Sequence, residues 1–144
     1  MFIGEFSHSI DQKKRLSIPA RFRKELGKRV VITIGLDKCL FVWSYPEWSK
    51  FAKKLGAENL GKANVRVFVR SMLTGAMEVE VDGLGRILIP DYLKVFAALA
   101  KKVVVTGVYN RLELWDEQIW QEYKTRANKD VDAMAEQLQN VNGL

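Results

Sequence analysis

Two short segments of the chain place an aspartate four residues before an arginine. The first runs from Asp11 to Arg15 and the second from Asp82 to Arg86. A carboxylate at the start of a tight turn accepts hydrogen bonds from nearby backbone N–H groups, and it can brace an arginine four residues later. The planar guanidinium then offers a fork that suits phosphate oxygens or guanine O6 and N7. From the residues alone, an anion-binding arginine and a simple turn salt bridge are equally good interpretations.

Other reactive side chains are scarce. Cys39 is the only cysteine and His8 the only histidine, which excludes an internal disulfide, a Cys-based zinc site and most imidazole acid–base sites. Nothing marks Cys39 as a nucleophile, and we expect His8 to be a strand residue rather than a ligand. The sequence also lacks a Walker-type glycine-rich loop. We therefore expect no enzyme, no catalytic residue, no metal, no cofactor and no small-molecule substrate.

The charge of the chain is unevenly distributed. Of its 144 residues, 48% are apolar and 28% charged, as in an ordinary globular protein of one domain or two very small ones. The net charge of +6 divides into +9 for residues 1–72 and −3 for residues 73–144, which indicates either a face that meets a polyanion or a solvated basic surface. No apolar run approaches the ~18 residues of a membrane span. The first five residues lack a secretory pattern, so we expect a cytoplasmic protein without a membrane partner.

The elements that must position the two turns emerge when the chain is compared with itself. The two Asp-x-x-x-Arg segments align 71 positions apart, and Trp43 and Trp48 recur 72 positions later. The apolar stretch 31–35 aligns with 103–107 at the same offset of 72. This duplication divides the chain into a first module at residues 5–48 and a second module at residues 77–120. A connecting helical segment lies at residues 49–75 and a C-terminal helix at residues 121–144.

Each copy is predicted to contain a strand, a turn, a strand, a short helix, two further strands and a helix. Pro19 and Pro90 suit the starts of the short helices, because the missing N–H group is harmless there. A copy of about 43 residues is too small to bury a core alone, so we expect the copies to share one interior in a mixed sheet or barrel. The four tryptophans should pack in the core or an interface. The apolar stripe from Tyr123 to Val141 predicts a long helix that lies on its own domain or on a neighbour.

Four stretches of the sequence carry a resemblance to a known family. Two are copies of one motif, Asp11-x-x-x-Arg15-Leu-Ser-Ile-Pro19 and Asp82-x-x-Gly85-Arg86-Ile-Leu-Ile-Pro90. The other two are Phe2-x-Gly4 and Leu114-Trp115-Asp116. Over residues 1–125 they resemble the MraZ family, whose members carry two SpoVT-AbrB-like modules. The resemblance implies an α+β fold in which two pseudo-symmetric AbrB-like modules form a double-split β-barrel with peripheral helices. It also implies a bacterial transcriptional regulator, associated with the nucleoid. Such a protein binds promoter direct repeats of the division and cell-wall gene cluster as a ring-like homo-oligomer.

This resemblance favours double-stranded DNA as the partner of the basic residues. The arginines of the turns would read bases or phosphates, and the nearby cations would contact backbone phosphates. The predicted DNA-binding residues are Lys13, Lys14, Arg15, Arg21, Arg23, Lys24 and Arg86, with Asp11 and Asp82 bracing the turns. Arg66 and Arg70 are assigned to a solvated or inter-subunit face, with DNA contact as the less favoured alternative. The alternative function is an AbrB-like protein-interaction or antitoxin-type module.

The two turns differ at the residue before the arginine. It is Gly85 in the second copy but Lys14 in the first, where the family pattern expects glycine in both. If the turn requires a positive φ, lysine costs on the order of 1 kcal/mol there, and the first turn gains a third adjacent cation in return. Carboxylates surround the second turn in the sequence, so we expect the first copy to be the main DNA face. Whether the second turn contacts DNA or a neighbouring subunit stays open at this point.

Overall fold

The computed structural model of the chain describes residues 1–138. The first copy contains four strands and two helices, which are β1 (Phe2–Ser9), β2 (Arg15–Ser17), α1 (Ala20–Leu26), β3 (Arg29–Ile34), β4 (Leu40–Ser44) and α2 (Tyr45–Gly56). A connecting helix α3 (Ala63–Thr74) follows. The second copy repeats the order of the first with β5 (Met77–Glu80), β6 (Arg86–Leu88), α4 (Asp91–Phe96), β7 (Lys102–Tyr109), β8 (Arg111–Asp116) and α5 (Glu117–Gln137). The predicted α+β class and the predicted order of elements are confirmed.

The strands of the two copies are interleaved. Six of them form one antiparallel sheet in the order β1-β7-β8-β4-β3-β5, and β2 and β6 form a separate two-stranded ribbon. Apart from the β3–β4 and β7–β8 hairpins, every pairing joins a strand of one copy to a strand of the other. The six-stranded sheet is not closed, because β1 and β5 lie at its opposite ends. Neither copy can form this sheet alone.

The pairing is related by an approximate two-fold axis. Leu16 lies opposite Ile87 in the ribbon, and Phe41 lies opposite Glu113 where β4 meets β8. In each pair the two residues occupy equivalent positions of the two copies. The axis therefore passes through the middle of the ribbon and through the centre of the large sheet, so the two turns are placed symmetrically about it.

The large sheet is covered on both faces. One face packs against the ribbon and the short helices, with Leu16, Ile18 and Ile87 fully buried. The other face packs against α2, α3 and α5 through Trp43 and Trp115, each 2% exposed. The partly buried Trp48 and Trp120 extend this second cluster, which confirms the prediction that the tryptophans pack in the core. The ribbon and the long helices thus lie on opposite faces of the sheet.

One part of the predicted alignment between the copies was wrong by one residue. Val31 lies opposite Trp43, and Val104 lies opposite Trp115, so Val31 corresponds to Val104 rather than to Val103. The cause is that β3 and β7 are continuous apolar runs buried on both faces, which carry no alternation to set the register. The segment between the short helix and the following strand is also longer in the second copy.

The long C-terminal helix predicted from the apolar stripe is present as α5. Val141, at the end of that stripe, lies outside the described residues. Among residues 1–138, none of the helices is both long and apolar enough to span a membrane.

Candidate nucleic-acid interface

The ribbon presents both motif arginines on one face. Arg15 lies opposite Leu88 and Ser17 lies opposite Arg86. Successive side chains of a strand point to opposite sides, and the intervening Leu16 is fully buried. Arg15 and Arg86 therefore both point away from the core. They are diagonal cross-strand neighbours, a relation that separates residues by about 7–8 Å.

Asp11 holds the first turn and its arginine at the same time. Its Oδ1 atom accepts hydrogen bonds from the backbone N–H groups of Lys13 and Arg15, both at 2.9 Å. Its Oδ2 atom accepts from the Nε–H group of Arg15 at 2.8 Å. Within the described residues, Nε is the only guanidinium nitrogen of Arg15 with a hydrogen-bond partner. We call these three hydrogen bonds of the aspartate the clamp. The clamp holds the guanidinium of Arg15 in place and leaves its two terminal nitrogens free to donate.

The second turn repeats this geometry. Asp82 Oδ1 accepts from the backbone N–H groups of Leu84 and Arg86 at 2.9 Å, and Oδ2 accepts from Arg86 Nε at 2.8 Å. In both turns the hydrogen bond from the arginine backbone N–H is the main factor that lowers the pKa of the aspartate. Each carboxylate is therefore charged at neutral pH, which maintains the clamp on its arginine.

Both turns require a left-handed residue before the arginine, and they meet the requirement differently. The φ angle is 63° at Lys14 and 75° at Gly85. Lysine can adopt this conformation at a cost on the order of 1 kcal/mol. A Cβ atom at position 85 would also lie 2.2 Å from Arg23 Nε, so any other residue there requires the Arg23 side chain to shift. Arg23 is held in this position by a 2.8 Å hydrogen bond from its Nε to the carbonyl oxygen of Ile18.

Each turn is covered by the short helix of the other copy. Ile18, just before α1, donates its N–H to the carbonyl of Gly85 at 2.9 Å. Ile89, just before α4, donates to the carbonyl of Lys14 at the same distance. As a result Asp91 of α4 pairs with Lys14, with the Nζ atom 2.8 Å from the carboxylate. The basic helix α1 instead lies beside the second turn.

This exchange corrects the expectation that the second turn has an acidic environment. A hollow of about 430 Å³ lies beside that turn and is lined by Arg23, Lys24 and Lys28 as well as by Asp82. Glu78, which precedes the second turn by four residues in the sequence, is paired with Arg29 at 2.7 Å. Charge read along the chain was misleading because the strands of the two copies cross over.

The predicted cations thus divide into three groups. Lys13 and Lys14 stay beside Arg15, whereas Arg23 and Lys24 are placed beside the second turn. Arg21 lies over the rings of Phe6 and Phe22, with its Cζ atom 5.6 and 5.8 Å from their centroids. Lys28 is an addition to the predicted set. It belongs to the same basic stretch of sequence, which was the available signal for it.

The remaining candidate groups have structural roles. The Cys39 side chain is fully buried, and burial raises the pKa of its thiol far above the usual range, so it is not a nucleophile at neutral pH. His8 lies in β1, and burial together with the nearby charge of Arg23 lowers its pKa. Arg66 donates through Nη1 to the carbonyl oxygens of Leu60 and Gly61 at 2.9 and 3.2 Å, which ties α3 to the preceding loop. Among residues 1–138, no group of three or more His, Cys, Asp or Glu side chains is arranged to hold a metal ion.

The chain has close relatives that match it over nearly its whole length. A model of the family described as "MraZ protein, putative antitoxin-like" matches twice, at residues 1–71 and 72–142. A protein of Caldanaerobacter subterraneus subsp. tengcongensis is 45% identical over 142 residues, which is 99% of each chain. One of Moorella thermoacetica is 47% identical over 138 residues, which is 96% of each chain. Both relatives are named transcriptional regulator MraZ, and that name does not denote an enzyme.

Proposed function

Because this chain belongs to the MraZ family, whose curated relatives are named transcriptional regulators, we propose that it is a sequence-specific DNA-binding regulator. It acts as an oligomer on repeated promoter elements. The target is the division and cell-wall gene cluster, as the resemblance implies, and the protein works in the cytoplasm at the nucleoid. The observation that carries the proposal is the ribbon with two outward-facing arginines, each fixed by an aspartate through Nε.

The two-stranded form of the ribbon supports a contact with DNA bases. The major groove of B-DNA admits a two-stranded β-ribbon, and arginine is the usual bidentate partner of guanine O6 and N7. Arg15 and Arg86 are about 7–8 Å apart as diagonal neighbours, which corresponds to roughly two base-pair steps of 3.4 Å. The clamps remove rotamer freedom from both arginines before DNA arrives, and this lowers the entropic cost of binding. We therefore assign base contacts to both.

The cations around each turn supply the phosphate contacts. Lys13 and Lys14 contact phosphates of the DNA strand near Arg15. Lys24 and Lys28, which line the hollow, contact phosphates of the strand near Arg86. The two ends of the ribbon are therefore both basic, although one copy of the sequence is acidic. The side chains of Lys14 and Asp91 are 48% and 70% exposed in their ion pair, and an exposed ion pair of this kind is weak enough for a phosphate to replace it.

We further propose that the ribbon completes the double-split β-barrel implied by the resemblance. Ile10, just after β1, forms an isolated bridge with Leu16 of β2. At the equivalent place in the second copy, the N–H of Asp82 donates to the carbonyl of Arg86 at 2.9 Å. The ribbon is thereby linked to both end strands of the large sheet. A single ribbon offers few contacts, so subunits joined in a ring would bind direct repeats by avidity.

Fluorescence anisotropy tests the proposal, with a labelled duplex that the wild-type chain has enriched from a random library. Arg15→Ala and Arg86→Ala should each weaken binding by about 5- to 150-fold, the effect of losing one bidentate contact worth about 1–3 kcal/mol. Arg126→Ala is the matched control, because Arg126 is exposed on α5 away from the ribbon. Circular dichroism should be unchanged in all three. Binding at wild-type strength by both ribbon variants would disprove the assignment.

Salt dependence separates this proposal from the antitoxin-type interaction module, an alternative favoured by the words "putative antitoxin-like" in the family description. The logarithm of DNA affinity should fall linearly with the logarithm of salt concentration, and Lys28→Ala should reduce the slope by about one. A flat salt response would instead favour the interaction module. Arg126→Ala is the control for Lys28, since Arg126 is exposed on α5, on the other side of the sheet from the ribbon, and it should leave the slope unchanged.

A further inference from the structure

Only the first turns of helix α5 pack against the rest of their own chain. Its first turns pack on Trp115 through Trp120 and Tyr123, with ring centroids 5.2 and 4.9 Å from that of Trp115. Farther along, Val131, Met134 and Leu138 are 57%, 49% and 61% exposed. Their spacing of three and four residues places them on one side of the helix. We call these three residues the distal stripe.

A groove of matching character lies between α2 and α3. It has a volume of about 440 Å³, and its walls include the apolar side chains of Phe51, Leu55, Val65 and Phe68. The ring of Phe68 is 41% exposed, so the groove is open along the surface. Both helices have 12 residues, a length of roughly 18 Å. The part of α5 from residue 127 to its end at Gln137 has 11 residues and is nearly as long.

The charges around the two surfaces are opposite. Residues 50–70, which contain the groove, include six Lys or Arg and only one Asp or Glu. Residues 127–138, which contain the distal stripe, include three Asp or Glu and one Lys. Opposite potentials of this kind steer two surfaces together and set their orientation. α5 is one continuous helix of 21 residues, so its distal part cannot reach the groove of its own chain without breaking.

We propose that the distal stripe of one chain docks into the α2–α3 groove of a second copy. An amphipathic helix that lies in an apolar groove is a common mode of recognition. The contact joins two different surfaces, so each subunit keeps one groove and one stripe for its neighbours, and the assembly grows until a ring closes. The groove and the first turns of α5 lie on the face of the sheet opposite the ribbon, so a helix seated in the groove leaves Arg15 and Arg86 uncovered. This inference rests on the oligomer of the proposed function and identifies how it forms.

The test uses two variants that each destroy one surface. Phe68→Asp disables the groove and Val131→Asp disables the stripe, and light scattering coupled to gel filtration should find each variant monomeric. Mixing them should produce a heterodimer, because one intact groove then meets one intact stripe. Val95→Asp is the control and should keep the wild-type assembly, since Val95 is 78% exposed on α4. If Phe68→Asp loses its native circular dichroism, Asn64→Glu replaces it at an exposed position of the groove, where a carboxylate repels the acidic segment that carries the stripe.

The outcomes distinguish this inference from the proposed function. Variants that retain the wild-type size, or monomeric variants whose mixture stays monomeric, would overturn the helix-in-groove contact and leave the DNA-binding proposal standing. A wild-type chain that is itself monomeric would overturn both the contact and the oligomer. The DNA affinities of Arg15→Ala and Arg86→Ala, measured on a single repeat element, decide the DNA-binding proposal independently of any of these results.

Discussion

Replacement of Gly85 by alanine tests whether the two turns are as unequal as their geometry indicates. At a φ of 75°, an alanine costs about 1–2 kcal/mol. Its Cβ would also lie 2.2 Å from Arg23 Nε, so Arg23 must move and lose its hydrogen bond to Ile18, worth about 1.5–3 kcal/mol. Alanine restricts the unfolded chain and returns about 0.4–1 kcal/mol. Gly85→Ala should therefore lower the free energy of unfolding by about 2–4 kcal/mol.

Urea unfolding of a double-mutant cycle measures the steric part directly. In an Arg23→Ala background the collision is absent, so Gly85→Ala should cost only about 0.5–1 kcal/mol of residual strain. The coupling between the two positions is then about 1.5–3 kcal/mol. Lys14→Ala is the matched control at the equivalent position of the first turn. It loses only an exposed ion pair with Asp91, worth about 0–1 kcal/mol. Equal costs of Gly85→Ala in both backgrounds would refute the role assigned to Arg23.

Two further predictions concern the close strand contact and the response to pH. Gly107→Ala should lower the free energy of unfolding, measured in urea, by about 1–3 kcal/mol, because the added Cβ would lie 2.5 Å from a backbone nitrogen of β1. Gly56→Ala is the control. It should be neutral or stabilising, because a Cβ atom at that position meets no other part of the structure within 4 Å. The free energy of unfolding should fall as the pH drops below 6.5. The pKa of His8 is lowered in the native state, so the unfolded chain binds a proton more readily than the folded one in this range. It should fall again below pH 3.8, the ordinary pKa of aspartate. The pKa values of Asp11 and Asp82 are lowered in the native state, so the unfolded chain takes up these protons first. Urea midpoints that do not change between pH 7 and pH 3 would contradict both assignments.

The local features of the site could be predicted from the sequence because they depend on neighbours along the chain. An aspartate, three turn residues and an arginine contain every donor and acceptor of the clamp, so the spacing predicted the hydrogen bonds now seen around Asp11 and Asp82. The duplication also predicted the order of elements, since each copy repeats the same helix and strand signals. The left-handed conformation at Lys14 was anticipated from the glycine at the equivalent position.

The arrangement around the turns could not be predicted in this way, because it depends on which strands pair. β3 adds to β5 and β7 adds to β1, and these pairings bring α1 to the second turn and α4 to the first. Nothing in the neighbourhood of Gly85 in the sequence indicates Arg23 or Lys28 as a partner. The apolar runs of β3 and β7 likewise left their alignment ambiguous by one residue, since strands buried on both faces lack a polar side.

The interleaved strands also determine when the two-stranded ribbon can form as the ribosome makes the chain. The N-terminal half emerges first, but β2 has no ribbon partner until residues 86–88 have been synthesised, and β1 waits for β7. A product that terminates early therefore carries the first turn and most of the cations without the ribbon that orients them. Only a chain translated through its second copy can place two arginines side by side, so an incomplete product cannot form the ribbon that carries them.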